Sequence, residues 1–204
     1  MDKLFLLDAY ALIYRAYYAF IKNPRINSKG LNTSAIMGFC NTLHEVIDKE
    51  KPVYLGVAFD PHGPTFRSDA FPAYKAQREA TPEDIKQAVP IIKDVLHAMN
   101  IPVLEAAGFE ADDVIGTLAR KADEMAKNGT AAGLHTYMLT PDKDYGQLVT
   151  ENVSIYRPRH GGGYEVLTPE GVCNKYGISS PTLVIDLLAL MGDSAQLPRL
   201  SGCG

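Results

Sequence analysis

Short apolar runs that end in an acidic residue alternate along this chain with longer amphipathic segments. The runs LFLLD, YLGVAFD and MLTPD have strand length and close on an aspartate. The segments between them carry apolar residues at helical spacing. Such alternation is typical of an α/β fold with a mostly parallel sheet and helices on both faces. It predicts strands at 3–8, 53–59, 101–105 and 136–140, a hairpin of 153–156 and 164–167, and helices at 9–20, 33–50, 82–99, 110–127, 143–149, 169–176 and 181–191.

Acidic residues collect at one edge of this predicted sheet. The carboxyl ends of the strands in such a sheet meet in one crevice, where ligands bind. Carboxylates so close together repel and raise one another's pKa unless a cation neutralises them. Oxygen ligands without cysteine or histidine suit hard cations, so we expect Mg²⁺ or Mn²⁺ and a metal-dependent phosphodiester enzyme. The acids are Asp8, Asp60, Glu110, Asp112, Asp113, Asp142 and Asp144, with Asp193 after a late helix.

Residues 61–81 interrupt the alternation with a proline-rich stretch that directly follows Asp60. Basic and aromatic side chains beside a site that cuts a polyanion would neutralise phosphates and stack on bases. A solvated loop with a few packed aromatic side chains is the alternative. The residues concerned are Arg67, Lys75 and Arg78, interleaved with Phe66, Phe71 and Tyr74.

The net charge of −4 does not exclude a nucleic-acid partner. Eight of the 24 acidic residues belong to the predicted cluster, where bound cations would cancel much of their charge. The three cysteines are far apart, which indicates isolated thiols in a reducing compartment. The apolar N-terminus is broken by Asp8 and Arg15, so we expect neither a signal peptide nor a membrane span, and a cytoplasmic protein.

Five segments in order make a specific combination: LFLLDAYALIYRAYYAF, VAFDPHGPTFRSDAFPAYKAQR, GFEADDVIGTLARKA, TPDKDYGQLV and IDLLALMGDS. From residue 3 to about 195 they resemble the 5′-nuclease family, in the form of the 5′→3′ exonuclease domain that begins bacterial DNA polymerase I. The resemblance implies a sheet with an acidic groove, an arch over it at 61–81, and a C-terminal helical DNA-binding motif. It also implies divalent-metal-dependent removal of 5′ flaps and RNA primers.

The resemblance assigns roles by position. Two metals can orient a water, polarise the scissile phosphate and stabilise the leaving oxygen. Asp8, Asp60 and Asp112, with Glu110 nearby, match the family's tighter metal site, and Asp113, Asp142, Asp144 and Asp193 match the second. Arg67, Lys75 and Arg78 match basic residues at the base of the arch, with Tyr74 as a stacking candidate. Lys75, Arg78 and Asp112 are the catalytic candidates, and Arg67, Tyr74, Lys75 and Arg78 the DNA-binding ones.

The implied partners are DNA with a 5′ flap or nick and RNA-primer/DNA junctions. The resemblance further implies a monomer, normally fused to a polymerase domain and associated with the nucleoid in the cytoplasm, with no membrane partner.

The chain departs from the family after the Gly-Asp-Ser at 192–194. The family continues with a second aspartate, an asparagine and a glycine- and proline-rich run into a helical hairpin, whereas this chain ends in QLPRLSGCG. A family-like Asp-Asn-Phe-Pro-Gly-Cys-Pro-Gly-Val-Gly, read in another frame, can give those nine residues. We therefore expect a 5′-nuclease domain at 1–195, an aberrant frameshifted tail at 196–204, and a truncated helical DNA-binding motif.

Two other interpretations are compatible with the sequence. One is a stand-alone 5′ nuclease or a PIN-like ribonuclease with a similar acidic cluster. The other is a DNA-binding remnant with impaired catalysis, because the C-terminal motif is incomplete. Turnover with a divalent metal, and a preference for flap DNA over single-stranded RNA, separate these possibilities.

Overall fold

A single twisted sheet forms the centre of the protein. The computed structural model describes residues 2–75, 79–159 and 161–192. Within them the strands follow the order β3-β2-β1-β4-β5-β6, in which β1 to β5 run parallel and β6 is antiparallel to β5. The mostly parallel sheet predicted from the sequence is confirmed. The strands are β1 (Asp2–Asp8), β2 (Tyr54–Ala58), β3 (Val103–Leu104), β4 (Leu134–Leu139), β5 (Val153–Pro158) and β6 (Tyr164–Leu167).

Helices cover both faces of the sheet, as predicted. Their bounds are α1 (Ala9–Ala19), α2 (Ser34–Glu50), α3 (Phe66–Ala70), α4 (Glu83–Ala98), α5 (Ala111–Lys127), α6 (Pro169–Tyr176) and α7 (Val184–Met191). Among the described residues, 3₁₀ helices span Asp144–Leu148 and Pro181–Leu183. Among the described residues, no helix combines the length and apolar character needed to cross a lipid bilayer.

The hydrophobic core lies in two layers, because side chains alternate between the faces of a strand. Phe5 and Leu7 of β1 pack on one face with α1, α2 and α4. Leu6 faces the opposite side and packs with Met138 of β4 and Ile115 of α5. Both layers are buried, so the strands read as continuous apolar runs.

The structure differs from the sequence prediction mainly around the sheet edge and residues 61–81. Strand β3 covers two residues rather than 101–105, because only Val103 and Leu104 pair with β2. The segment 61–81 contains the short helix α3, which the sequence analysis treated as irregular. Thr65 begins it: the Thr65 amide donates to Ser68 Oγ at 3.0 Å, which satisfies one backbone group at the helix start.

The strand order fixes where a ligand site can form. The chain moves outward from β1 through β2 to β3 and then resumes on the other side of β1 with β4. Ligands bind at such a reversal, outside the carboxyl ends of the strands. Asp8 ends β1 and pairs with Ala58, so Asp60 lies two residues beyond β2 at the same edge. Leu7 pairs with Leu139, which brings Thr140 beside Asp8.

Helices α1 and α2 meet at a glycine. A Cβ atom added to Gly38 would stand 2.5 Å from Ala16 Cβ, closer than any real contact. Neither atom is the free end of a flexible side chain, so one helix would have to move. Gly38 thus allows the close approach of two helices that carry much of the core on this face.

We expect Gly38→Ala to destabilise the fold by about 1–3 kcal/mol, because the added methyl overpacks the α1–α2 contact. In a free helix the same change would stabilise by roughly 1 kcal/mol. The exposed Asn41 of α2 is the matched control, and Asn41→Ala should leave stability unchanged or slightly raised. Urea unfolding of the two variants measures both effects. A Gly38→Ala protein as stable as the wild type would contradict the packing described here.

Candidate active site at the carboxyl edge of the sheet

Five of the eight predicted acidic residues meet at the sheet edge, where β1, β2 and β4 end. They line a cleft of about 470 Å³. Lys75, Glu79 and Thr81, from the two described ends of the 61–81 segment, also border it. The acids that line this cleft are Asp8, Asp60, Glu110, Asp112 and Asp142. We call it the acidic cleft.

Asp8 lines the acidic cleft from the end of β1. Its carboxylate accepts hydrogen bonds from the Ala11 amide at 3.1 Å, the Thr140 hydroxyl at 3.2 Å and the Tyr145 hydroxyl at 3.3 Å. Burial, with the nearby charges of Asp60 and Asp142, nonetheless raises the pKa of Asp8 to about 6. An acid whose charge is this costly is one that a cation would stabilise.

Asp60 and Asp112 bring the end of β2 and the start of α5 into the same cleft. Asp60 Oδ1 accepts from the Ala111 amide at 2.8 Å, so the acid that follows β2 caps the first turn of α5. Burial raises the pKa of Asp112; Arg67 opposes this shift, and Asp113 and Glu110 add to it. Asp112 is therefore a second carboxyl whose ionisation is disfavoured.

The donor chemistry of the acidic cleft fits a hard divalent cation. Oxygen ligands with disfavoured charge face a common space, and oxygen is what Mg²⁺ and Mn²⁺ prefer. As the side chains stand, no three His, Cys, Asp or Glu residues among those described lie close enough together to hold one ion. Asp8 and Asp60 each accept a hydrogen bond from a backbone amide at the start of a helix. The residues that would hold a cation here are Asp8, Asp60 and Asp112.

Glu110 ties the basic segment to the acidic cleft. Its buried carboxylate accepts from Tyr74 Oη at 3.0 Å and from Lys75 Nζ at 2.8 Å. Lys75 has a φ of 56°, in the left-handed region that non-glycine residues rarely adopt. Lys75, the catalytic candidate, therefore lines the acidic cleft, and Tyr74, the stacking candidate, is bonded to the same carboxylate.

Asp113 has a different environment from its neighbour Asp112. Its two oxygens accept from the Arg67 guanidinium at 2.6 and 2.8 Å, a bidentate pair that joins α3 to α5. It also accepts from the Glu110 amide at 3.0 Å. Burial alone would raise the pKa of Asp113, but Arg67 brings it below its ordinary value. Asp113 lies outside the acidic cleft, so its predicted role as a metal ligand competes with this ion pair.

Two of the acids predicted for a second metal, Asp142 and Asp144, lie in neighbouring clefts that share Asp112. Asp142 lines the acidic cleft, whereas Asp144 lines a neighbouring cleft that also contains Asp112. Asp142 Oδ1 accepts from the Asp144 amide at 3.0 Å, which fixes the turn after β4. Asp193 and Arg78, like the tail at 196–204, lie outside the described residues.

Sequence reasoning missed several residues of the site. Tyr145 is almost fully buried, and burial with the charges of Asp8 and Asp112 raises its pKa well above the ordinary value, so it stays a neutral donor to Asp8. Tyr10 and Tyr14 of α1 also line the acidic cleft. The signal for Tyr145 was its position directly after Asp144, and Tyr14 lies four residues after Tyr10 on the same face of α1.

Comparisons with known proteins give consistent results. Residues 3–177 match the family described as the 5′-3′ exonuclease, N-terminal resolvase-like domain. The chain is 40% identical over 205 residues to the 5′-3′ exonuclease of Aquifex aeolicus (strain VF5), covering 100% of this chain and 66% of that protein. It is 39% identical over 202 residues to DNA polymerase I of Treponema pallidum (strain Nichols), covering 98% of this chain.

The fold is shared with a solved nuclease. The flap endonuclease of bacteriophage T5, crystallised as a pseudo-enzyme-product complex with DNA and metal ions, aligns with 100% of this chain and 71% of its own. The TM-score is 0.69 at 20% sequence identity. The chain spans 20% of the length of the Treponema polymerase that it matches.

The raised pKa of Asp8 predicts a pH-dependent stability in a metal-free protein. The folded state holds the proton to about pH 6, whereas an ordinary aspartate releases it near 3.8. Since the folded state binds more protons in this window, the free energy of unfolding should fall as pH rises from about 4 to 6, by on the order of 2 kcal/mol. Asp8→Asn should flatten this fall and be the more stable protein at pH 8 in EDTA.

Urea unfolding at several pH values tests this expectation. Asp94→Asn, at an exposed position on α4, is the matched control and should keep the wild-type pH dependence. An Asp8→Asn protein whose stability still falls between pH 4 and 6 would show that another group titrates there.

Proposed function

This chain belongs to the 5′-3′ exonuclease family, and we propose that it is a divalent-metal-dependent nuclease that hydrolyses phosphodiester bonds near the 5′ end of a DNA strand. The family predicted from five sequence segments is confirmed over residues 3–177. The observation that supports the proposed activity most strongly is the acidic cleft at the strand-order reversal. There Asp8, Asp60 and Asp112 border the same space as Lys75.

We propose 5′ flaps, nicks and RNA-primer junctions as the substrates. Arg67, Tyr74 and Lys75 support this choice, because a basic and aromatic segment beside the acids suits a polyanion with stackable bases. The T5 relative in fold, bound to DNA and metal ions, supports a DNA substrate. A role in replication and repair, and a place beside the nucleoid in the cytoplasm, belong to the same proposal.

The residues of the acidic cleft have separate proposed roles in binding the metal and in orienting its ligands. Asp8, Asp60 and Asp112 would hold Mg²⁺ or Mn²⁺, and Glu110 lies beside them. Such a cation, when bound, supplies Lewis-acid polarisation of the phosphate and activation of water. Thr140 and Tyr145 keep Asp8 oriented by donating to its Oδ2.

Lys75 would act on the phosphate. In this structure its ammonium group lies 2.8 Å from Glu110 Oε1 at the border of the acidic cleft. Exchanging that carboxylate for a phosphate oxygen would bring positive charge to the group on which negative charge develops during the reaction. Tyr74, held by the same Glu110, presents a ring for base stacking. Arg67, locked to Asp113, fixes the start of the segment relative to α5.

Asp112→Asn should lower cleavage of a labelled 5′-flap DNA by at least about 10²-fold with Mg²⁺ or Mn²⁺. The reason is that it replaces the carboxylate proposed to bind the metal with a neutral amide of the same size. Asp113→Asn is the matched control on the adjacent residue. It should lose less than about 10-fold, because Asp113 pairs with Arg67 outside the acidic cleft.

The outcomes separate the competing assignments. Equal losses in the two variants would return Asp113 to the metal site. Near-wild-type turnover by Asp112→Asn would reject the proposed metal site, and faster cleavage of single-stranded RNA would favour a PIN-like ribonuclease. A wild-type chain that binds flap DNA but never cuts it would be a DNA-binding remnant.

Lys75→Ala should lower the maximal cleavage rate by about 10-fold or more and weaken DNA binding much less, because its charge matters most in the transition state. Lys49→Ala on α2 removes the same charge far from the cleft, from an exposed pair with Glu45, and should change neither quantity. Single-turnover rates and equilibrium binding measure the two effects. Matching losses of rate and affinity would make Lys75 an ordinary phosphate anchor.

A further inference from the structure

A second cleft of about 370 Å³ adjoins the acidic cleft. It lies between the outer face of α5 and the 3₁₀ segment Asp144–Leu148. Asp112 and Tyr145 line both spaces and so form a common wall. A strand bound in the acidic cleft can therefore continue into this neighbour, which we call the α5 cleft.

Helix α5 carries acids at its start and bases farther along the same face. Residues four apart on a helix are neighbours, so Asp112 leads through Gly116 to Arg120, and Asp113 leads through Thr117 to Lys121. All six line the α5 cleft. Eight residues of α-helix separate Asp112 from Arg120 by roughly 12 Å along the axis, so the bases lie well beyond the acidic cleft.

Gly116 allows α5 and the 3₁₀ segment to pack closely at the base of the α5 cleft. A Cβ atom at Gly116 would stand 3.2 Å from Leu148 Cδ1, so the missing side chain lets the 3₁₀ segment approach the helix. The Thr117 hydroxyl adds a neutral donor between the acidic and the basic ends.

The basic end of the α5 cleft, formed by Arg120 and Lys121, is available to bind an anion. Arg67 already neutralises Asp113, and a cation held at Asp112 would offset the remaining acids. Among the described residues, the α5 bases that form ion pairs are Arg120 and Lys127, and Lys121 forms none. Arg120 has Glu124 at 3.4 Å in an exposed pair, and such pairs contribute little and exchange readily.

We propose that the α5 cleft is a phosphate-binding subsite, in which Lys121 and Arg120 contact a backbone phosphate of the nucleic-acid strand other than the one that is cut. This inference rests on the proposed nuclease function and extends it. Contacts of this kind position the strand without reading its sequence. The Thr117 hydroxyl donates to the same phosphate or its neighbour.

The test compares two lysines of α5. Lys121→Gln removes a charge from the α5 cleft, whereas Lys127→Gln removes one from an ion pair with Asp123 outside it. Binding of a fluorescent 5′-flap DNA to the 204-residue chain is measured at several KCl concentrations, with Ca²⁺ in place of Mg²⁺ to slow cleavage. Thermal midpoints check that both variants are folded.

Lys121→Gln should weaken binding severalfold at low salt and reduce the slope of log affinity against log salt by roughly 0.7–0.9, the value for one lost phosphate contact. Adding Arg120→Gln should about double the change. Lys127→Gln should leave affinity and slope at their wild-type values.

Each other outcome overturns the subsite. A steep wild-type slope that Lys121→Gln leaves unchanged rejects the α5 cleft while the nuclease function stands. A Lys121→Gln protein with a wild-type slope and a lowered thermal midpoint gives Lys121 a structural role instead. A wild-type chain that neither binds nor cuts flap DNA rejects the nuclease function, and the subsite with it.

Discussion

Repulsion among the carboxylates that share the acidic cleft is the constraint on which the rest of this structure depends. The strand order brings acids from the ends of β1, β2 and β4 and from the start of α5 to one edge, where burial and neighbouring charges raise the pKa of Asp8 and of Asp112. Each acid is held by a neighbouring element: Asp8 by the amide of Ala11 and the hydroxyls of Thr140 and Tyr145, Asp60 by the start of α5. The hydrogen bonds that hold these acids in place despite their repulsion also join the strands to the helices at this edge.

Periodicity was enough to predict most of this fold, because a parallel sheet buried on both faces leaves apolar runs that helical segments separate. The position of the acids followed as well, since strand ends in such a sheet converge. Pairing at an edge could not be predicted: β3 has two residues because only those meet β2. Nor could the residue pattern alone show that Asp112 and Asp113 have different surroundings. Their different environments depend on Arg67, 46 residues away in the chain, which takes one carboxylate and leaves the other to the cleft.

Helix α5 organises the chemistry of the site more than any single strand does. Its first turn supplies Asp112, its N-terminal cap Glu110 holds Tyr74 and Lys75, and Asp113 holds Arg67. The basic segment is therefore fixed to α5 at two points, one within the short helix α3 and one after it. Movement of that segment would shift both its cations relative to the acids, because the contacts share one helix end.

The left-handed backbone at Lys75 has a consequence for how this protein could change over time. Glycine or asparagine would occupy that conformation more comfortably, and each strained non-glycine residue costs on the order of 1 kcal/mol or more. Random substitution followed by selection for heat resistance alone would therefore tend to discard the lysine. At position 75, the stability of the fold and the placement of a positive charge therefore favour different residues. A protein that keeps lysine there has a slightly less stable fold but retains the ammonium group beside the acidic cleft.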